Sequence, residues 1–305
     1  MQGKLLAKAN TEEGDVSFNP LAEARGNSED KGNSIKLQVV DELPLVLPLA
    51  LASGKIYDNC IGFSQTEETG QQLLKRIKAE KQKLVDEKKI KKDKELAPIK
   101  PEEIPFEIPE SWVWCRMGEI VKLSRGRFSI RPRNDPGYFG TKYPFIQIGS
   151  LDEKGSIIND APQALNEKGY KVSKEFPKGT IAIAIVGGTI GNLGVLGVPM
   201  CFTDSIIGII PSELHNQEFV LNYLRFVQPE IKKAAYQMAG QPNIKIPTLT
   251  ELIIPLPPLS EQNRIVKKLE ELMKYCDELE KSIGESKVQN ERLLQRVLKD
   301  ALSEK

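Results

Sequence analysis

The stretch LIIPLPPLSEQNRIVKKLEELMKYCDELEKSI, Leu252 to Ile283, changes character twice. It opens as an apolar run of strand type, is stopped by Pro255, Pro257 and Pro258, and continues as a charged helix. Ser260 is a good N-cap, and Glu261 falls in the first turn, where negative charge suits the helix dipole. Apolar residues then recur at Ile265, Leu269, Leu272, Cys276, Leu279 and Ile283, with spacings of 4, 3, 4, 3 and 4. That rhythm is a coiled-coil seam, narrower than the face of an ordinary surface helix. The seam meets polar Ser286 and Asn290 and resumes at Leu293 and Val297. At ~1.5 Å per residue the helix runs roughly 65 Å if unbroken. A small domain cannot cover that length, so the seam predicts a partner helix.

Upstream, apolar runs recur between turn signals: EIVKLSRG, YPFIQIGSL, GTIAIAIVGGTIGNLGVL, FTDSIIGIIP and TELIIPLPP. They predict a strand-rich domain, interrupted by a helix in NQEFVLNYLRFVQPEIKKAAYQMAG. The fold class is therefore α+β, with a strand-rich domain over 101–258 and a long coiled-coil helix over 259–305. Residues 66–100 read as a basic helical arm with a thin stripe of Leu73, Leu74, Ile77 and Leu84; a solvated helix without a partner is an equal reading. Residues 1–65 carry no motif.

Net charge decides nothing, since 43 basic residues face 42 acidic ones. Distribution says more. From Gln72 to Lys100 there are 11 basic against 5 acidic residues, and from Arg116 to Phe145 there are 7 against 2. Segregated positive charge suits an anionic partner. The cysteines Cys60, Cys115, Cys201 and Cys276 lack metal-ligand spacing and suggest no disulfide framework. The run LPLVLPLALA, Leu43 to Ala52, is too short and too rich in proline for a bilayer span, which needs ~20 apolar residues. No basic-then-apolar leader starts at Met1, and the expectation is a soluble cytoplasmic protein without a membrane partner.

Catalytic signals are sparse. His215 is the only histidine and sits in a polar turn, which argues against histidine-based catalysis or metal binding. VGGTIGNLG, Val186 to Gly194, lacks the ending of a phosphate-binding Walker loop and reads as a tight turn between strands. Binding chemistry is richer. LSRGRFSIRPRNDPGYFGTKYPF places Arg125, Arg127, Arg131, Arg133 and Lys142 among aromatic residues that include Tyr143. Arginine can bridge phosphates or read guanine edges bidentately. The later stretch MAGQPNIKIPT carries Gln241, Asn243 and Lys245; Gln and Asn match the donor–acceptor pair of adenine, and Lys suits phosphate. Asn243 could equally serve as a turn residue.

PFEIPESWVWCRMGEI, YPFIQIGSL, GTIAIAIVGGTIG and above all IPLPPLSEQNRIV leading into a long helix resemble the specificity subunits of type I restriction–modification enzymes. The resemblance covers roughly residues 70–303. It implies a target-recognition domain that binds double-stranded DNA and reads one half of a bipartite site. It implies a spacer helix that docks methyltransferase and restriction subunits. It also implies a chain of half size, pairing with itself or with another specificity half, and a non-catalytic one that binds no cofactor, S-adenosylmethionine and ATP belonging to the partner subunits. Two other readings stay open: the recognition portion of a fused restriction–methylation enzyme, and a helical adaptor that no longer reads DNA.

Overall fold

The computed structural model describes residues 68–90, 95–237 and 242–303. Residues 1–65, Cys60, Gly240 and Gln241 therefore lie outside the described residues. The run IAIAI decides the layering. Strand β8 (Ile181–Ala184) turns Ile181 and Ile183 into one core and Ala182 and Ala184 into another, and all four are fully buried. Period-two alternation with no polar face is the pattern of a strand covered on both sides.

The sheet containing β8 has the order β2 (Val121–Arg125), β11 (Ile206–Pro211), β8, β9 (Leu193–Leu196), β5 (Ile157–Ile158). One face packs against helix α1 (Gly70–Asp86) through Leu73, Leu74 and Ile77, and against α4 (Gln217–Tyr236) through Val220, Leu224, Val227 and Ile231. The other face meets a second sheet, ordered β3 (Phe139–Gly140), β6 (Gln163–Leu165), β4 (Tyr143–Ile146), β10 (Met200–Phe202), β7 (Glu175–Phe176). Small residues on the central sheet make room for large ones here. A Cβ on Gly208 would stand 2.7 Å from the Phe176 ring, which stacks on Phe202 at 3.9 Å. The far side of the second sheet carries an aromatic cluster of Phe128, Phe139 and Phe145 beside the short helix α3 (Glu167–Val172).

The basic arm is not a solvated helix. Its apolar stripe is buried, and α1 ends at Asp86, well short of the lysine-rich stretch that the sequence pattern would have included. Lys88, with φ of 58°, turns the chain away after that helix. The entry segment that follows is tied down by Arg116, which is buried and bonds to Glu103 at 2.7 Å and to the carbonyls of Ala97 and Glu251. That guanidinium holds the Glu103 carboxyl below its usual range.

Strands β1 (Val113–Arg116) and β12 (Ile253–Leu256) form a separate antiparallel ribbon, with α2 (Met117–Ile120) following β1 and α5 (Ile246–Glu251) preceding β12. From this ribbon helix α6 (Leu259–Ser303) departs. Pro258 supplies the carbonyl that takes the first helical bonds, from Glu261 and Gln262 at 3.0 Å each, so the helix starts earlier than a Ser260 cap would place it. At ~1.5 Å per residue its 45 residues span about 68 Å.

Candidate nucleic-acid interface

The order of the central sheet brings several loops to one end. Strand β2 finishes there, β8 finishes there, and β11 starts there, with Ile207 opposite both Arg125 and Ile183. The segment after β2 alternates. Arg125 and Arg127 are exposed, while Gly126 and Phe128 are buried. A Cβ on Gly126 would meet the Thr203 carbonyl at 2.2 Å, so glycine lets the loop pass directly over the β10–β11 turn. Phe128 then anchors it, packing on Phe145 with ring centroids 4.9 Å apart. A period-two backbone pinned at alternate residues leaves its arginines facing outward.

Those arginines converge on Asp204 in the β10–β11 turn. Arg133 reaches its carboxylate at 2.6 Å, Arg131 at 3.7 Å, and Arg125 donates through Nε to its backbone carbonyl. Two guanidinium groups share the carboxylate and a third holds the same residue's carbonyl, so the cluster keeps an excess of positive charge. Exposed ion pairs of this kind add little to stability, with a median of about 0–1 kcal/mol. Their effect is to orient the side chains. Arg127 stands apart from this group. Its Nε and Nη2 donate to the Ser173 carbonyl at 3.1 and 2.6 Å, and the Ser173 hydroxyl donates back to the Arg127 carbonyl at 2.9 Å.

Asn243 reaches the same end of the sheet by another route. Ile244 donates to the Ile185 carbonyl at 2.9 Å, while the Ile185 amide donates to the carbonyl of Ser205 at 3.0 Å. Ile185 thus lies between the Asp204 turn and the Asn243 segment, which places the two on the order of 10 Å apart. Asn243 pairs with Val186 at the edge of the glycine-rich turn, where Gly187 and Gly191 adopt φ of 80° and 82°. Two buried polar atoms there, Asn243 Oδ1 and Thr189 Oγ1, have no hydrogen-bond partner. Lys245 is exposed at the entrance to α5.

Lys142 and Tyr143 are positioned differently. Lys142 precedes and Tyr143 begins β4, whose other end, Ile146, is the residue paired with Phe202 next to the arginine loop. Both bond to Glu167, Tyr143 through its hydroxyl at 3.0 Å, and Tyr143 stacks on Tyr170 at 4.0 Å. Bonding to Glu167 raises the Lys142 pKa and bonding to Lys142 lowers that of Glu167, so the pair is held charged and mutually compensated.

His215 corrects the reading of a polar turn. It is 5% exposed, and neither ring nitrogen has a partner. Burial alone pushes its pKa down to about 4, so the imidazole is neutral at physiological pH. It lies beside the anchor of α6. Gln262, fully buried, accepts from the Asn216 amide and donates to the Pro257 carbonyl, both at 2.9 Å. Glu261, also buried, accepts from the Trp112 indole at 2.8 Å. Val266 is buried and packs into the main core, and Ile265 and Leu269 are half-buried. The rest of the seam faces outward: Leu272, Cys276, Leu279 and Ile283 are exposed, Ile283 at 67%.

Sequence reasoning missed Asp204, Ser173, Glu167 and Thr189. Asp204 lies within the FTDSIIGIIP stretch read as an apolar run, and its arginine partners are about 70–80 residues away, so no local spacing links them.

The family model for the type I restriction modification DNA specificity domain matches residues 109–286, more than half of the chain. The chain belongs to that family of type I restriction–modification specificity proteins. It is 30% identical over 277 residues to the type I restriction enzyme EcoAI specificity subunit of Escherichia coli, a match covering 83% of this chain and 43% of that protein. It is 28% identical over 280 residues to the EcoEI specificity subunit of the same organism, covering 87% and 45%. The chain thus spans less than half the length of these two relatives. A solved structure described as the structural basis of complex assembly and conformational transition of the type I R-M system shares the fold, with a TM-score of 0.50 and 22% identity over 72% of this chain and 52% of that one. Among the described residues no helix is long and apolar enough to cross a membrane.

Proposed function

We propose that this chain is a non-catalytic DNA-recognition subunit of a type I restriction–modification system. Its strand-rich domain reads one half of a bipartite target in double-stranded DNA, and α6 spaces that domain from a second one. Methyltransferase and restriction subunits dock on the assembly and bring S-adenosylmethionine and ATP with them. The observation that carries this reading is the gathering of Arg125, Arg131 and Arg133, on the segment that leaves β2, with Asn243, on a second segment, at one end of a rigid sheet, within a domain of the specificity family. Long donors on loops above a fixed scaffold can follow a groove, and arginine and asparagine carry the hydrogen-bond patterns that distinguish bases. The uncovered seam from Leu272 to Ile283 supports pairing with a second copy or another specificity half.

Methylome sequencing of cells with and without the gene tests this. A modified motif, present only with the gene and bipartite in form, is the expected outcome. An unchanged methylome in cells that express the partner subunits would overturn it. Arg133→Ala or Asn243→Ala should then weaken binding to that motif more than binding to a scrambled duplex.

A further inference from the structure

The flank of the arginine loop holds a second group of cations that no carboxylate among the described residues compensates. Lys174 lies just before the edge strand β7 and donates through Nζ to the Ser124 hydroxyl, on the edge strand β2 of the other sheet. Lys122, two residues earlier on β2, has no hydrogen-bond or ion-pair partner among the described residues. Arg127 spends Nε and Nη2 on the Ser173 carbonyl. Lys174 is partly buried, and its pKa is lowered by that burial and by the charges of Lys122 and Arg127; among the described residues no acidic group offsets them. The other basic residues of this loop differ. Arg131 and Arg133 lie on Asp204, and Lys142 on Glu167. Holding like charges together in a partly desolvated groove opposes folding, and an anion entering the groove would relieve that cost.

We propose that Lys174, Lys122 and Arg127, with the Ser124 hydroxyl, form a clamp for backbone phosphates of duplex DNA in the groove between edge strands β2 and β7. The proposal rests on the DNA-binding reading given above. A polymer fits better than a mononucleotide because the cations form a row. From Lys122 to Arg127 the chain is largely extended, and at ~3.3 Å per residue the row covers roughly 16 Å. Each strand of duplex DNA offers one charge per ~3.4 Å of axis along such a row. Arg125, which bonds to Asp204, lies within the same stretch between Lys122 and Arg127. Phosphate contact there would set the register of the loop on the duplex, leaving Arg131, Arg133 and Asn243 for the base edges.

The test is fluorescence anisotropy on the full chain, with a duplex carrying the target motif and a scrambled one, at several salt concentrations. Lys122→Gln with Lys174→Gln should weaken both duplexes by the same factor. It should also flatten the slope of log K against log salt by about two, or ~0.9 per phosphate contact. Lys174→Arg should restore most of the affinity. In the parent, NMR titration of the Lys174 side chain should show its pKa rising when duplex is added. An unchanged slope in a parent that does bind DNA overturns the clamp and leaves the DNA-binding reading standing. A loss confined to the target duplex also overturns it, since that marks base reading. A parent that binds neither duplex overturns both.

Discussion

Gln262 lies where the recognition domain meets the long helix, and replacing it by alanine isolates that joint. The side chain is fully buried and makes two hydrogen bonds, one to the backbone of each element it joins. Its carbonyl takes the Asn216 amide, the residue whose own side chain caps α4 through the Phe219 amide. Its amide serves the carbonyl of Pro257, in the proline run that stops β12. In the alanine variant both backbone groups lose their partners inside the protein. A buried polar group left without a partner costs about 1–3 kcal/mol. Two such groups put the loss at roughly 2–4 kcal/mol, allowing for partial relaxation around the smaller side chain. Urea unfolding followed by tryptophan fluorescence measures it, with Trp112 bonded to the neighbouring Glu261 as a local reporter. The slope with urea should stay the same while the midpoint falls, which marks lost stability and not a changed unfolded state. Gln262→Glu provides the control. It keeps the acceptor for Asn216 but presents a carboxylate oxygen to the Pro257 carbonyl, so it should be less stable than the parent at neutral pH and recover in part when acidified. A loss below ~0.5 kcal/mol for the alanine variant would refute the reasoning, because that is the range of surface substitutions without structural consequence.

Leu272→Glu with Leu279→Glu should give a monomer by light scattering, because paired carboxylates cannot be buried in a helix seam; an unchanged dimer refutes pairing through this face. Asp204→Asn leaves Arg131 and Arg133 without their shared carboxylate, and should tighten binding to scrambled duplex and steepen its salt dependence; weaker binding would contradict the picture of an excess positive cluster. His215 is neutral when folded, with a pKa of about 4 against 6.5 for a free imidazole, so between these values the unfolded chain binds a proton that the folded chain does not. Stability is then full above about pH 6.5 and falls toward pH 4, by an order of 3 kcal/mol in all. His215→Phe should flatten that slope between pH 6.5 and 5, and an unaltered slope would show that the imidazole is not the titrating group.

How much of this was legible depended on the range of the interactions. Strands and helices follow from local pattern. IAIAI is apolar on both faces, and both faces are covered; the 4–3 rhythm after Pro258 is a helix seam, and a helix forms there. The first turns of that seam hid a second purpose. Ile265 and Leu269 have the same spacing as Leu279, yet the recognition domain half-covers them, whereas Leu279 is exposed at 63%. Periodicity gives the face of a helix, not what lies against it. Leu73, Leu74 and Ile77 show the same limit, since a thin stripe on a lysine-rich helix suits either solvent or a core. At the candidate interface the residue types were legible and their partners were not. Arg133 and Asp204 are 71 residues apart, and Lys142 and Glu167 are 25 apart; only the sheet order brings them together.

That order also explains why one residue, Asp204, serves three arginines, two through its carboxylate and one through its carbonyl. Free in solvent, a guanidinium on a loop samples many rotamers, and ordering it costs up to ~2 kcal/mol of side-chain entropy. Asp204 sits on a turn braced by β10 and β11, whose neighbours are buried on both faces, so it is a fixed point from which Arg125, Arg131 and Arg133 extend. Much of the ordering cost is then met before any ligand arrives. Since the pairs are exposed, exchanging the carboxylate for another anion costs little. Asn243 differs in kind. Its backbone is fixed by pairing with Val186, but its Oδ1 is buried without a partner, and a buried acceptor in that state costs about 1–3 kcal/mol. The arginines can exchange one anion for another, whereas Asn243 Oδ1 is a buried acceptor without a partner among the described residues. The arginine cluster is thus ordered in advance and held by exchangeable pairs, whereas the Asn243 segment is ordered through its backbone.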